Sequence, residues 1–346
     1  MRYNTESLTM STAQHRPRLI ADIGGTNARF ALVDAADRIY AEQVLSCADH
    51  HSITAAIAAY LEQCPAPHPT VAALAVATPV TGDQVTFTNN ADWSFSIAAT
   101  RQALGLEQLR LLNDFTALAL ALPHLEGRER VQIGGDTAVP ETAIGLIGPG
   151  TGLGVSGLIW SGNHWVPLQT EGGHVSFAPT TEKEWAIAQH LQKRFGHVST
   201  ERLLSGPGLV NSYQALRALA GQPEDSLEPA DITERGLNGS CPYCREALEV
   251  FCALLGGAAG NLALTLGARS GVYIGGGIAP RLGDFLARSA FRARFEDKGR
   301  LQSYLAPIPV WIITAVHPAL RGAAAAVSVN QLINRPHREP VGLIRR

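Results

Sequence analysis

Short apolar runs alternate with polar and glycine-rich segments along most of the chain, and two periods recur. Continuous apolar runs, such as residues 71–76, are typical of buried strands. Runs in which apolar residues return every third or fourth position, such as residues 182–196, are typical of amphipathic helices. Because strands and helices alternate, the pattern predicts an α/β fold.

The predicted elements begin with a β-hairpin whose strands lie at residues 18–23 and 29–34. The remaining strands are predicted at residues 71–79, at the start of 110–125, on both sides of a glycine-rich turn within 143–160, at 271–277 and at 308–315. Helices are predicted at residues 53–64, in the second part of 110–125, and at 182–196, 250–268, 279–291 and 319–333.

Two of these hairpins share one plan. Residues 19–32 and 143–159 each consist of an apolar strand, a turn containing Gly and Thr, and a second apolar strand. The likeness favours an internal duplication into two related α/β domains that face a cleft. The alternative is two unrelated hairpins in a glycine-rich chain.

The apolar run at residues 250–268 approaches the length of a membrane span, and Gly256 and Gly260 form a GxxxG motif in it. Asn261 interrupts the run, and a strand and turn follow without basic or aromatic anchors. We therefore expect a buried helix in a soluble α/β core.

Composition agrees with a globular enzyme-sized protein. The 346 residues exceed what one ordinary core needs, and 46% are hydrophobic while 17% are charged. The formal net charge of −2 excludes a polycationic footprint, so neither nucleic acid nor a membrane is an expected partner. The 5 scattered cysteines fit a reducing cytoplasm. The polar first residues lack the apolar core of a secretory signal.

The first glycine-rich turn carries candidate phosphate chemistry. Gly24 and Gly25 allow backbone N–H groups to approach a phosphate closely, and Thr26 and Asn27 add donors. Asp22, at the strand end, can hold Mg²⁺ directly or through water. A plain hairpin turn would also contain Asp and Gly, so this turn alone leaves both interpretations open.

Two further glycine clusters resemble phosphate or nucleotide loops. The second turn, residues 148–154, includes Gly150, Thr151 and Gly152 and matches GxGxxG in part, but a strand rather than a helix follows, which excludes a Rossmann site. A Walker P-loop is excluded as well, because the chain has no GK[ST]. The third cluster consists of Gly275, Gly276 and Gly277 and lies between a predicted strand and a predicted helix. A helix N-terminus at this point could lie beside a nucleotide.

Polar residues at the ends of apolar runs are the candidate substrate contacts. Asn113 and Asp114 lie at a strand-to-helix junction, where helix capping is the simpler explanation. Glu171 and His174 flank two glycines in a loop that can present several hydrogen-bonding groups, and Glu201 precedes another glycine-rich loop. A metal site there would lack a third ligand at helical spacing.

Seven segments occur in a fixed order, DIGGTNARF, LLNDFTALA, GPGTGLG, EGGHVSFAP, ERLLSGPGLVN, CREALEVFC and FEDKGR. Together they resemble the bacterial ATP-dependent glucokinase family of the hexokinase/actin-like ATPase superfamily, over roughly residues 18–333. The resemblance implies two α/β domains of the actin-like, ribonuclease H-like type flanking a cleft. It also implies phosphorylation of the 6-hydroxyl of D-glucose by Mg-ATP in glycolysis, in a cytoplasmic homodimer.

The resemblance also implies roles for single residues. Asp114 corresponds to the catalytic base, and the first and second glycine-rich turns correspond to the two phosphate motifs. The stretch GVYIGGGIAP resembles the adenosine motif. Sugar-hydroxyl contacts are implied for Asn113, Glu171, His174, Glu201 and Asn90, although the family usually has a different residue at position 90. The related ROK sugar kinases carry a zinc-binding cysteine cluster, but Cys241 and Cys244 form only a CxxC pair, so we expect no zinc.

We expect a disordered arm at residues 1–17, a small domain at 18–124 plus 315–335, a large domain at 125–314 and a tail at 336–346. Three alternatives to a glucokinase remain at this point: a kinase of another hexose or N-acetylhexosamine, an actin-like ATPase, and a non-catalytic sugar sensor. The EGGHVSFAP loop argues against the ATPase, and Asp114 with the phosphate turns argues against the sensor.

Overall fold

The chain forms two compact units in a computed structural model that describes residues 16–87 and 93–328. Unit 1 comprises the described residues up to His124 together with those from His317 onward, and unit 2 comprises Leu125–Val316. The chain therefore leaves unit 1 once and returns to it near its end.

Unit 1 is built on a five-stranded sheet with helices packed against it. Its main strands are β1 (Arg18–Ile23), β2 (Asn27–Val33), β3 (Ile39–Ser46), β4 (Val71–Val76) and β7 (Gln108–Asn113), and a small separate ribbon contains β5 (Gln84–Val85) and β6 (Phe95–Ser96). The helices are α1 (Ile53–Gln63), α2 (Ile97–Ala103), α3 (Asp114–Ala121) and α12 (Pro318–Ala326), with short 3₁₀ turns at Cys47–Asp49 and Leu122–His124.

Unit 2 has a six-stranded sheet and most of the helices. Its strands are β8 (Arg130–Gln132), β9 (Ile144–Pro149), β10 (Leu153–Trp160), β11 (Trp165–Leu168), β12 (Gly271–Ile274) and β13 (Val310–Ile313). Its helices are α4 (Glu182–Phe195), α5 (Gly206–Leu219), α6 (Pro229–Asn238), α7 (Pro242–Leu266), α8 (Ile278–Leu282), α9 (Asp284–Arg288), α10 (Phe291–Glu296) and α11 (Gln302–Leu305). Four 3₁₀ turns lie at Gly127–Glu129, Gly172–His174, Thr200–Arg202 and Gly299–Leu301.

The two sheets share one topology. The strand order is β3-β2-β1-β4-β7 in unit 1 and β11-β10-β9-β12-β13 in unit 2, with β8 added at the far edge. In each sheet the first three strands are antiparallel neighbours and the next two run parallel to the central one. The repeated order confirms the prediction of two related α/β domains of the actin-like type.

The long apolar segment forms α7, which lies in the core of unit 2. In the described part of the chain it is the one helix long and apolar enough to cross a membrane, and 61% of its most apolar window is buried. A Cβ on Gly256 would lie 2.0 Å from the carbonyl oxygen of Phe291, and one on Gly260 would lie 2.4 Å from that of Phe295. The GxxxG motif therefore brings α7 against α10 inside a core.

Two sequence predictions need correction. The helix predicted at residues 279–291 is interrupted at Gly283, whose φ of +49° ends α8 before α9 begins. The glycine-rich segment after Glu201 was predicted as a loop but forms the first turn of α5, where the Ser205 hydroxyl accepts a hydrogen bond from the Gly208 N–H. Pro207 fits there because the first turn of a helix needs no intrahelical donor.

Helix α12 closes unit 1 by packing against α3, β1 and β4. The contact with α3 is a backbone-to-backbone one, because a Cβ at Gly322 would lie 1.6 Å from the carbonyl oxygen of Ala117. The alanine-rich sequence of α12 thus includes a glycine where a side chain has no space. This contact fixes the returning chain on the helix that begins at Asp114.

We expect Gly322→Ala to destabilise the protein, although the same change in an exposed helix is stabilising. The added methyl group must separate α12 from α3, which costs about 1–3 kcal/mol, as overpacking in a core does. Gly82→Ala is the matched control, because a Cβ at Gly82 has no atom within 4 Å. Thermal unfolding of both variants measures the difference; equal melting temperatures would contradict the close contact.

Candidate active site

The parallel strands of unit 1 end side by side. Ile23 of β1 pairs with Val76 of β4, and Val76 pairs with Asn113 of β7. The first glycine-rich turn follows β1 and Asp114 follows β7, so both lie at the carboxyl edge of the sheet. In open α/β sheets this edge is where ligands bind.

Asn113 ends β7 and caps α3. Its side-chain oxygen accepts hydrogen bonds from the N–H groups of Phe115 at 3.0 Å and Thr116 at 3.3 Å. Its amide group faces the carbonyl oxygen of Thr78 at 3.4 Å. The capping explanation that the sequence suggested for Asn113 is therefore correct, and the cap fixes where the next residue, Asp114, begins the helix.

Burial sets the acidity of the Asp114 carboxyl group. Burial, together with the negative charge of Asp22, raises the pKa of Asp114 to about 6, although the N–H of Phe115, which donates to its Oδ1 at 2.8 Å, acts in the opposite direction. A carboxylate with a pKa near 6 is a stronger base than a solvated one and is still ionised at neutral pH. A buried carboxyl group with a raised pKa is a candidate for acid–base catalysis.

Asp22 lies in a similar environment, with two basic neighbours. Burial raises the pKa of Asp22, and the charges of Arg29 and His317 partly oppose that rise. Arg29 faces Asp22 across the β1–β2 pair, with 3.7 Å between a guanidinium nitrogen and a carboxylate oxygen. The carboxylate of Asp22 is thus only partly neutralised by its basic neighbours.

Sequence reasoning missed Arg29 and His317. Arg29 lies at the start of the second strand of the predicted hairpin, but only the observed register pairs it with Asp22. His317 gave no signal, because it lies far along the chain, at the start of α12, in a left-handed conformation with φ of 50°. Only the return of the chain to unit 1 brings it near Asp22.

The first turn is closed by its own backbone. The Gly24 N–H donates to the carbonyl oxygen of Asn27 at 2.9 Å, and the N–H of Cys47 donates to that of Thr26 at 2.8 Å. Gly25 completes the turn, and the side chains of Thr26 and Asn27 are exposed. A short tethered turn with exposed donors suits a phosphate ligand.

In unit 2 the second and third glycine clusters are in contact. Gly275 donates its N–H to the carbonyl oxygen of Ile147 at 2.9 Å, and a Cβ on Gly276, where φ is +75°, would lie 2.2 Å from the carbonyl oxygen of Pro149. Glycine is therefore required at position 276 for both conformation and space. The helix after Gly277 has only five residues, so it does not provide the long helix N-terminus that the sequence suggested.

Glu201 is bound to the second turn. Its Oε2 accepts a hydrogen bond from the Leu153 N–H at 2.8 Å, and a Cβ on Gly152 would lie 2.6 Å from the same oxygen. The N–H of Gly150 donates to the carbonyl oxygen of Gly152, and Gly150 in turn accepts from Gly206 at the start of α5. The turn that contains Thr151 is thus held from both sides.

The loop with Glu171 and His174 lies beside the turn with Glu201. The N–H of Thr200 donates to the carbonyl oxygen of Val175 at 2.9 Å, which pairs the two segments. A Cβ on Gly173 would lie 2.1 Å from the carbonyl oxygen of Leu153, so the loop packs directly on β10. The side chains of Glu171 and His174 are exposed, and they remain available to a polar ligand.

An apolar cavity of about 420 Å³ lies within unit 2 beside these loops. Its wall includes Thr170, Gly172 and Thr200, which are neighbours of the candidate sugar contacts, but none of Glu171, His174 and Glu201 lines it. The polar loop residues therefore belong to a different surface from this cavity.

Two sequence-based expectations, the sugar contact of Asn90 and the absence of zinc, stay untested. Asn90 lies outside the described residues. Trp93, which follows it, is buried and donates its indole N–H to the carbonyl oxygen of His50 at 2.9 Å. Across residues 16–87 and 93–328, no three His, Cys, Asp or Glu side chains gather into a metal-binding cluster; the absence of zinc stays a prediction.

Comparisons with known proteins agree with this picture. The sequence model of the glucokinase family matches residues 19–330. A glucokinase of Chromobacterium violaceum is 57% identical over 309 residues, which are 89% of this chain and 88% of that protein. A glucokinase of Aromatoleum aromaticum is 55% identical over 314 residues, covering 90% of this chain and 94% of that protein.

Solved structures match the fold. A glucokinase from an Antarctic psychrotroph superposes with a TM-score of 0.83 at 40% identity, covering 90% of this chain and 98% of that one. A glucokinase from Balamuthia mandrillaris in complex with glucose has a TM-score of 0.74 at 20% identity and covers 92% of this chain and 98% of that one, which supports the fold alone. Fold and site together define a sugar kinase with the two-domain actin-like ATPase fold. The chain belongs to the glucokinase family.

We expect Glu201→Ala to loosen the second turn in the absence of any ligand. Removal of the carboxylate leaves the Leu153 N–H without its acceptor, and a hydrogen bond to a charged group contributes about 1.5–3 kcal/mol. Glu201→Gln keeps an acceptor oxygen and is the matched control. Hydrogen exchange of the segment containing Leu153 is expected to rise strongly in the alanine variant and slightly in the glutamine variant. Equal protection in both variants and the wild type would show that the bond does not hold the turn.

Proposed function

We propose that the chain transfers the γ-phosphoryl group of Mg-ATP to the 6-hydroxyl of D-glucose, with Asp114 as the general base. ATP-dependent phosphorylation of glucose is the activity of the family to which the chain belongs. To that family activity the proposal adds the identity of the general base, the metal ion and the individual site residues.

The observation that carries the proposal is the environment of Asp114. Its carboxylate lies at the carboxyl edge of the parallel strands, and burial raises its pKa to about 6. Such a group accepts the proton of a sugar hydroxyl as the oxygen attacks phosphorus, and it holds that oxygen in line with the phosphoryl group. Asn113 fixes the position of Asp114 through its cap on α3.

The glycine-rich turns supply the phosphate contacts in this proposal. Phosphoryl transfer proceeds through a loose transition state, so positioning and charge neutralisation provide most of the catalysis. The first turn would bind phosphate at Gly24, Gly25, Thr26 and Asn27, through donors other than the Gly24 N–H, which is already bonded to Asn27. The second would do so at Gly150, Thr151 and Gly152, where the Gly150 N–H is likewise bonded to Gly152. The cluster Gly275, Gly276 and Gly277 borders the second turn and is assigned to the adenosine part of ATP. No lysine occurs in either turn, so backbone donors have a large share in binding phosphate.

Magnesium fits the donors at the first turn. Mg²⁺ in phosphotransferases takes one or two carboxylates and completes its shell with water and phosphate oxygens. Asp22 meets this requirement, because its carboxylate is at the strand end beside the turn. Arg29, at 3.7 Å, neutralises the charge of that carboxylate only in part. Asp22 would hold the ion directly or through water, and the ion would supply positive charge to the phosphate oxygens.

Sugar recognition is assigned, on the basis of the resemblance, to the polar side chains of Asn113, Glu171, His174 and Glu201. One carboxylate oxygen of Glu201 is bound to Leu153, which orients the group and leaves its second oxygen as an acceptor. Asn90 is a further proposed contact on the basis of the resemblance alone.

We further propose a glycolytic role in the cytoplasm and a homodimeric state. All five cysteines are free, as is usual in a reducing compartment. The homodimeric state rests on the family resemblance alone.

Asp114→Asn is expected to lower kcat by roughly 10²–10⁴-fold, the usual contribution of a general base. In the wild type, kcat/KM should rise with pH with a midpoint near 6, because Asp114 acts only when ionised. The folded protein binds the Asp114 proton more tightly than the unfolded chain does, so ionisation costs stability progressively above the ordinary carboxyl pKa and fully above about 6. The variant should therefore melt at the same or a higher temperature at pH 8. Near-wild-type kcat in the variant would remove Asp114 from this role.

A sugar panel assayed by ADP release tests the substrate. A site whose polar groups are covered by the bound sugar penalises a missing or inverted hydroxyl by about 1–3 kcal/mol, so glucose should exceed mannose and galactose by at least about tenfold in kcat/KM. N-acetylglucosamine should be poorer still. Glu171→Gln should raise the KM for glucose and reduce the discrimination, since an amide also donates.

Equal use of glucose and N-acetylglucosamine by the wild type would favour the N-acetylhexosamine kinase instead. ADP release at the same rate without sugar would favour an actin-like ATPase. No ADP release with any sugar would leave the non-catalytic sensor.

A further inference from the structure

The CxxC pair of unit 2 occupies the beginning of the longest described helix. Cys241 is the N-cap of α7, Pro242 is its first residue, and Cys244 lies in the first turn. The side chain of Cys244 is fully buried, whereas Cys241 is half-buried. The pair thus consists of one thiol that solvent reaches and one that lies directly behind it. Neither residue has a role in the proposed kinase reaction.

The backbone allows the two sulfur atoms to meet. Residues three apart within a helix have Cβ atoms roughly 5–6 Å apart, and a disulfide needs about 3.5–4.5 Å. Cys241 is extended, with φ of −136° and ψ of 115°, so it is not bound by helical spacing. Within the described residues, no cap hydrogen bond holds the Cys241 side chain in another direction, and each of the two thiols shifts the pKa of the other.

The surroundings separate the chemical behaviour of the two thiols. Burial acts to raise the pKa of Cys241, but the backbone and thiol of Cys244, the N–H of Tyr243 and the charge of Arg217 together lower it. Arg217 is held 5.7 Å from the centre of the Tyr243 ring. Burial and the proximity of Cys241 raise the pKa of Cys244. Arg235 opposes that rise and Asp225 adds to it.

We propose that Cys241 and Cys244 are a redox-active dithiol, in which Cys241 reacts with a low-molecular-weight disulfide and Cys244 resolves the product into an intramolecular disulfide. A thiolate at a helix N-terminus, next to a fixed cation and three residues before a second cysteine, is the arrangement of thiol–disulfide exchange sites. The positive end of the helix dipole stabilises the same thiolate.

The exchange balances in two steps. The Cys241 thiolate attacks one sulfur of the disulfide RSSR, which forms a Cys241–SR bond, breaks the S–S bond of the reagent and releases RS⁻. Cys244 gives its proton to a released thiolate and attacks the sulfur of Cys241. The Cys241–Cys244 bond forms and the second RS⁻ leaves, taking a proton from solvent. Two protein thiols are oxidised, and one RSSR is reduced to two RSH.

The test uses the full chain and oxidised glutathione. Trypsin cleavage after Arg235 and Arg245 yields a peptide of residues 236–245 that contains Cys241 and Cys244 and no other cysteine. Reduced protein should give this peptide with two alkyl labels. After incubation with oxidised glutathione, acid quenching and alkylation, the peptide should carry no label and be lighter by two hydrogen atoms. A peptide that still carries two labels would overturn the proposal.

The two serine variants test the order of attack. Cys244→Ser should accumulate a glutathione adduct on Cys241, whereas Cys241→Ser should accumulate none on the buried Cys244. Adducts at equal rates in both variants would contradict the assigned roles, and a stable adduct on wild-type Cys241 would exclude Cys244 as the resolving thiol.

Cys64 provides the matched control, since it is also partly buried but is separate from the pair. With limiting iodoacetamide at neutral pH, Cys241 should be alkylated at least about threefold faster than Cys64, because the helix N-terminus and the charge of Arg217 favour the Cys241 thiolate. Cys64→Ser should leave the oxidation of the 236–245 peptide unchanged. A Cys241 rate no higher than that of Cys64, or loss of oxidation in the Cys64 variant, would overturn the proposal.

Discussion

The register of three parallel strands is the constraint on which the site of unit 1 depends. β1, β4 and β7 are aligned so that Ile23, Val76 and Asn113 are neighbours, and each strand releases its polar residues at the same edge. A one-residue slip of β7 would exchange the two faces of that strand and move Asp114 away from Asp22. The apolar strands fix this register because β1 and β4 are buried along nearly their whole length.

The same arrangement opposes stability at the site that it builds. Burial raises the pKa values of Asp22 and Asp114, and the negative charge of Asp22 raises that of Asp114 further. Two carboxylates at one sheet edge repel each other unless a cation or a proton lies between them. Arg29 and His317 relieve Asp22 only in part. The remaining tension is typical of catalytic sites, where charge is arranged for the reaction rather than for folding.

In unit 2, contacts between loops, rather than long strands or helices, position the candidate site residues. Glu201 binds the second turn, Gly173 packs on the backbone of Leu153, and Thr200 pairs with Val175. Together these contacts join the loop of Glu171 and His174, the segment of Glu201 and the β9–β10 turn. A change at any one of them is therefore expected to affect both the residues proposed to bind phosphate and those proposed to bind the sugar. The CxxC pair lies at the start of α7, on an element that supports this unit through its core.

The sequence by itself determined the strands and helices with strong periodicity, the internal repeat and the motifs that carry the family resemblance, because these signals are local. It also placed Asn113 and Asp114 at a strand-to-helix junction. Only the tertiary structure brought His317 next to Asp22, bound Glu201 to the Leu153 N–H, and divided the helix predicted at residues 279–291 at Gly283. Those outcomes depend on contacts between residues far apart in the chain, or on a backbone conformation set by packing, which local periodicity does not encode.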